Sequence, residues 1–193
     1  MVKSTNHYNL PSPAPPMQST IERALAPLVG LRLWGPERES NRLSLQLGEP
    51  RTARARQASA HPSGEYTLHV FCAWRLSRGT ELLAGSADLF TPADPDEDLE
   101  SFDYEAPGST WWDVRLAAYF DAAPANGPRV GAASGDALGG ARLTLSDGAV
   151  LELFANSAPA EHFETEFWRL VRPGGAEPGF VVGTAGAEHV TEP

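Results

Sequence analysis

The sequence predicts an α+β fold, a mostly antiparallel, meandering sheet with about two helices packed on it. Apolar residues alternate with period two in several segments, most clearly over 65–76 and 141–154. Helical spacing occurs in two places, at Ile21, Leu25 and Leu28 and at Trp112, Leu116, Tyr119 or Phe120, and Ala123. Turns, not crossover helices, join the strands, and nothing resembles a βαβ series.

The elements follow in order. Residues 1–18, with PSPAPP at 11–16, read as a flexible, Pro-rich tail. The single domain then spans 19–184. Ser19 and Glu22 form a capping-box pattern before a short helix that Pro27 ends. Leu31 and Leu33 start a strand that Gly35 and Pro36 break, and Leu43, Leu45 and Leu47 return as its hairpin partner with one buried face. Residues 49–64 read as a loop carrying Arg51, Arg54 and Arg56.

Residues 65–76 are the strongest strand. Tyr66, Leu68, Val70, Cys72, Trp74 and Leu76 share one face, while Thr67, His69, Phe71, Ala73 and Arg75 share the other. A turn at 77–80 leads to a return strand from Glu81, closed by Gly85-Ser86-Ala87-Asp88. An acidic, proline-bearing loop covers 91–109, and Thr110 caps a helix of sequence WWDVRLAAYFDAA that Pro124, Asn126 and Gly127 stop. A short strand near 129–133 precedes the hairpin ARLTL-SDG-AVLELF. A three-residue loop with Gly148 in the left-handed region sets Leu143 opposite Leu151 and Arg142 opposite Glu152. Strands near 167–171 and 180–182 complete the domain, and 185–193 reads as a second flexible tail.

Composition removes several functions. With 25 Asp and Glu against 15 Lys and Arg, the formal charge is −10, which repels nucleic-acid backbones and anionic membranes. A basic protein partner, a cation or a neutral ligand suits it better. Lys3 is the only lysine and stands in the tail, so a Walker P-loop, a pyridoxal Schiff base and a kinase fold all lack their lysine. GDALGG at 135–140 lacks the spacing of a dinucleotide loop, and no cofactor is implied. One cysteine makes no intramolecular disulfide, no signal segment opens the chain and no apolar run suits a bilayer. The expected compartment is the cytoplasm.

Candidate sites are few. Parity separates His69 from Cys72, so one metal cannot bind both, and Cys72 reads as a small core residue. The His69, Phe71 and Arg75 face is a candidate for an anionic ligand, with Asp88 or Asp113 as the arginine's partner. Asp94, Asp96, Asp98 and Glu105 match positions 1, 3, 5 and 12 of a calcium loop, but Leu99 stands where glycine is needed, so no metal is assigned. Adjacent Trp111 and Trp112 sit about 100° apart on a helix, which puts one at the edge of the core or on the surface. No G-x-S-x-G elbow occurs, and His69 and His162 are the histidines placed within the fold.

Leu68-His69, Cys72, Trp74-Arg75, Gly85-Ser86-x-Asp88, Trp112-Asp113, the LTLSDGAVLELF hairpin and Trp168-Arg169 together resemble a family of small bacterial proteins of no assigned activity, over roughly 65–172. That resemblance implies a bacterial α+β protein and no particular chemistry. By analogy, small acidic α+β proteins serve as immunity partners of secreted bacterial toxins. The expected function is a non-enzymatic module that holds a basic protein, a toxin for instance. Trp111 or Trp112 would be buried against it, with Asp96, Asp98 and Asp103 at the rim. The alternative is a small-ligand binder or enzyme that uses the His69 and Arg75 face.

Overall fold

The computed structural model describes residues 16–51, 62–123, 127–174 and 179–190. The segment 1–15, with Lys3 and His7, and Arg54, Arg56 and His61 lie outside the described residues, as do Pro124 and Asn126. The chain forms α1 (Met17–Leu25), β1 (Leu33–Glu39), β2 (Arg42–Leu47), β3 (Tyr66–Val70), β4 (Ala73–Arg78), β5 (Glu81–Gly85), α2 (Trp111–Asp121), β6 (Val130–Gly135), β7 (Ala141–Leu145), β8 (Ala149–Phe154), β9 (Glu166–Val171), β10 (Gly179–Gly183) and β11 (Gly186–Val190). Short 3-10 segments occupy Ala26–Leu28 and Ser86–Phe90. The α+β class is therefore as expected.

The strands divide into two antiparallel sheets, six strands in the order β1-β2-β3-β9-β10-β11 and five in the order β5-β4-β8-β7-β6. The long strand over 65–76 supplies both. It bends at Phe71 and Cys72, whose amides both donate to the Phe167 carbonyl, at 2.9 and 3.1 Å. Side-chain alternation survives the bend: Leu68, Val70, Cys72, Trp74 and Leu76 are all buried. A second join runs from Leu31–Leu33 to Pro128–Val130, where the Leu33 amide donates to the Pro128 carbonyl at 2.8 Å and the Val130 amide to the Leu31 carbonyl at 2.9 Å. One core cluster draws on both sheets and both helices, from Ile21 and Leu25 through Leu43 and Trp74 to Trp112, Leu151 and Trp168.

Several elements differ from the sequence reading. α1 begins at Met17, inside the expected tail, and Ser19 donates backward to the Pro16 carbonyl at 2.8 Å instead of capping. β1 runs through Gly35 and Pro36 with a register shift between Trp34 and Glu37, because a bulge absorbs the proline that cannot donate to the ladder. Gly186–Val190, expected as tail, is β11 and pairs along β10. β2 is buried on both faces: Ser44 and Gln46 lie inside with the leucines. Their polar groups are satisfied, since Gln46 Oε1 accepts from the Thr67 hydroxyl (2.8 Å) and the Gly64 amide (3.0 Å).

The β7–β8 hairpin has the expected register, with Leu143 opposite Leu151 and Arg142 opposite Glu152. Gly148 adopts φ 83°, as a three-residue loop of this kind requires. No helix among the described residues is long and apolar enough to cross a membrane.

Candidate functional site

Two chain segments build the most distinctive surface. The 3-10 segment Ser86–Phe90 feeds a long acidic loop, and α2 follows it. Backbone hydrogen bonds zip the ends of the loop together: Ala93 N to Ser109 O at 2.8 Å, and Trp111 N to Thr91 O at 2.9 Å. Phe90 and Trp111 consequently flank one neck. Phe90 is 68% exposed, and its ring lies 6.0 Å from that of Tyr104. Trp111 is 37% exposed and carries the Arg115 guanidinium over its ring at 5.1 Å. The two tryptophans thus divide as helical spacing requires: Trp112 is buried and stacks edge-on against Trp74, with centroids 5.0 Å apart.

Asp88 and Asp113 fix this neck. Asp88 Oδ2 accepts from the Gly85 amide at 2.9 Å, and both its oxygens lie 3.1 Å from Arg115 Nη1. The Ser86 hydroxyl accepts from the Trp74 amide at 3.3 Å. The Gly85-Ser86-x-Asp88 motif is thereby a turn-setting device that ties β5 to β4 and to α2. Asp113 stands at the third position of α2, where Thr110 caps by accepting its amide at 3.3 Å. Its carboxylate takes Arg38 side-on, Nε to Oδ1 at 2.8 Å and Nη2 to Oδ2 at 3.0 Å. Burial pushes the Asp113 carboxyl up, but the hydrogen bonds from Arg38 and Thr110 outweigh it and hold it below the usual carboxylate range.

Beside this pair lies a cleft of about 660 Å³ between β1, α2 and the end of the acidic loop. Trp112, Leu116 and Pro107 give it an apolar lining, and Glu37, Glu39 and Glu105 bring carboxylates to it. Glu37 and Glu105 form no ion pair among the described residues. Asp96, Asp98 and Asp103 lie exposed along the loop. Asp94, Asp98 and Asp103 each turn a side-chain oxygen onto the amide two residues ahead, at 2.9 to 3.1 Å. No group of three potential metal ligands clusters among the described residues.

The His69, Phe71 and Arg75 face is divided by the bend. His69 lies on β3, where its Nδ1 is 2.8 Å from the Ser44 hydroxyl. Burial first, and then the Arg42 and Arg169 charges, lower its pKa to about 4, so the ring is neutral at pH 7. Arg75 lies on β4 in the other sheet. Its partner is neither Asp88 nor Asp113, which Arg115 and Arg38 occupy, but Glu152, at 2.6 Å. Glu152 also takes Arg142 at 2.6 Å, an arrangement that follows from their opposed places in neighbouring strands.

Cys72 is buried, and its thiol is pushed up to about 11 by that burial. Trp74 Nε1 is buried with no hydrogen-bond partner among the described residues, so Trp74 serves by packing. His162 is not placed within the fold as expected. It occupies an exposed loop with φ 67°, and its side chain is 89% exposed.

Sequence reasoning found Trp111, Asp88 and Asp113 but not Phe90, Tyr104 or Arg38. Phe90 reads from sequence as one more apolar residue after Leu89, and Arg38 as part of a polar loop; only the closed neck reveals their positions. No family model, curated protein or solved structure matches the chain. The resemblance to a small bacterial family therefore rests on its motif residues alone.

Proposed function

We propose that this protein is a non-enzymatic binding module for a basic protein, docked at the neck of the acidic loop. The observation that carries the reading is the exposure of Phe90, Tyr104 and Trp111 beside a segment with no basic residue between Arg78 and Arg115. Exposed aromatics at the centre of a contact supply affinity, while a rim of one charge sign steers the partner and sets the association rate. Asp96, Asp98 and Asp103 supply that rim, and Glu37 and Glu105 extend it along the cleft. A basic toxin, held in the manner of an immunity protein, is the specific partner this reading favours.

Affinity capture from the native host tests it, with the wild type and a Phe90→Ser, Trp111→Ser double variant as baits. The expected result is a basic protein retained by the wild type and lost by the variant. An acidic partner, or equal retention by both baits, would overturn the reading.

A further inference from the structure

β1 is an edge strand. It pairs with β2 on one side, and no strand among the described residues pairs with Glu37, Arg38 and Glu39 on the other. Glu39 and Arg42 lie opposite each other across the Ser40-Asn41 loop of the β1–β2 hairpin. Residues that flank a two-residue loop exchange their ladder bonds, so the amide and carbonyl of Arg38, one step along, turn away from β2. The cleft of about 660 Å³ lies along this edge, because residues 36–40 all line it. Side chains of a strand alternate between its faces, so a wall built from consecutive residues is the backbone edge and not one face. Facing it across the cleft is one stripe of α2, Trp112, Leu116 and Ala117. A groove between a free strand edge and a second wall is the setting in which an extended peptide adds as a strand.

The two faces of the edge differ. Arg38 lies opposite buried Leu43 and reaches α2, where its guanidinium is committed to Asp113. Glu37 and Glu39 lie opposite Ser44 and Arg42 on the outer face. An added strand therefore meets the apolar side chains of α2 on one face and carboxylates on the other, and cross-strand pairs of opposite charge are favourable. Pro36 and the bulge between Trp34 and Glu37 limit the edge at one end, and the hairpin loop limits it at the other. Extended, residues 36–40 span about 13 Å, the reach of a short segment.

We propose that the free edge of β1 takes an extended basic segment of the partner as one short added strand. Its apolar residues turn to α2, and its arginines or lysines turn to Glu37 and Glu39. The proposal rests on the reading of the partner as a basic protein and says how that partner is held.

Calorimetric titration of the full chain tests it with an acetylated, amidated hexapeptide of alternating valine and arginine. The peptide should bind with Kd below about 1 mM, and its counterpart with glutamate for arginine about tenfold more weakly or not at all. Two further peptides carry N-methyl groups on the valine amides or on the arginine amides. Only one set of amides faces β1 in an added strand, so one of the two should bind at least about tenfold more weakly than the other. Glu37→Lys, at an exposed position, should weaken the arginine peptide about fivefold or more. Ala117→Trp, which fills the groove from the exposed side of α2, should abolish binding, while Leu138→Ser, outside the groove, should leave it unchanged. No saturation by about 10 mM, equal binding of the acidic peptide, or equal binding of the two methylated peptides would each overturn the proposal. A dimer of the free chain that Ala117→Trp dissolves would place a second copy on this edge and would also overturn it. A basic protein captured equally by wild type and Ala117→Trp would overturn it and leave the proposed function standing. Peptide binding as expected, with no basic protein captured, would leave the edge a basic-peptide site and overturn the proposed function instead.

Discussion

The neck of the acidic loop and the surface of α1 use arginine differently. At the neck, each arginine is matched to a carboxylate, Arg38 to Asp113 and Arg115 to Asp88, and further carboxylates remain around them. Under α1, Arg23 bonds only to Ser19 and Thr20 of its own helix among the described residues, and the Arg172 guanidinium lies over the Tyr66 ring. Net charge describes the sum of these regions and neither one. What a surface can bind depends on which charges are already satisfied within the fold, and that is a matter of topology. Arginine at the neck is structural, holding α2 to β1 and to the 3-10 segment. Arg23, exposed on α1, bonds among the described residues only to its own helical turn.

The largest expected effect breaks the structural half of this contrast. Asp113→Ala removes the partner of Arg38, whose side chain is only 8% exposed, together with an acid in the first turn of α2. Chemical denaturation should show a loss of about 2–4 kcal/mol. The pH dependence has a definite sign. Because the Asp113 carboxyl is held below its ordinary value in the folded chain, its contribution is complete above the unfolded value near pH 4. It is lost as pH falls through the lower folded value. The gap between wild type and variant should therefore narrow in acid, and a gap as wide there as at pH 7 would contradict the latch.

A smaller effect is expected at Cys72. Cys72→Ala should cost about 1–2 kcal/mol through lost packing, with partner binding intact. With its thiol pushed up to about 11, Cys72 should react with iodoacetamide only as fast as the chain opens. Rapid labelling of the native protein at pH 8 would show an accessible thiolate and not a core residue.

The smallest effect sharpens the other half of the contrast. Arg23→Gln should change stability by no more than about 0.5 kcal/mol, since Arg23 is exposed and makes only local bonds. A thermal melt that fell as far as that of Asp113→Ala would make Arg23 structural too.

Much of the local structure is legible in the sequence, because it depends on spacing. Parity placed Cys72 and Trp74 in the core and His69 and Arg75 away from it, and the glycine of SDG set the β7–β8 register. The division into two sheets is not legible, because alternation passes unchanged through the bend at Phe71 and Cys72. Periodicity also cannot say whether a strand's polar face meets solvent. Ser44 and Gln46 alternate with leucines as a wet face would, yet both are buried and satisfied by His69, Thr67 and Gly64. The binding surface was half visible. Trp111 stood out as one of two adjacent tryptophans, whereas Phe90 and Tyr104 approach each other through a loop closure made by backbone hydrogen bonds, which side-chain patterns do not encode.

The central claim is that the acidic neck steers and holds a basic protein. Its most direct test is the association rate between this chain and its captured partner as a function of ionic strength. The rate should fall about tenfold or more between about 50 and 500 mM salt, with the dissociation rate changing far less. A rate indifferent to salt would contradict it.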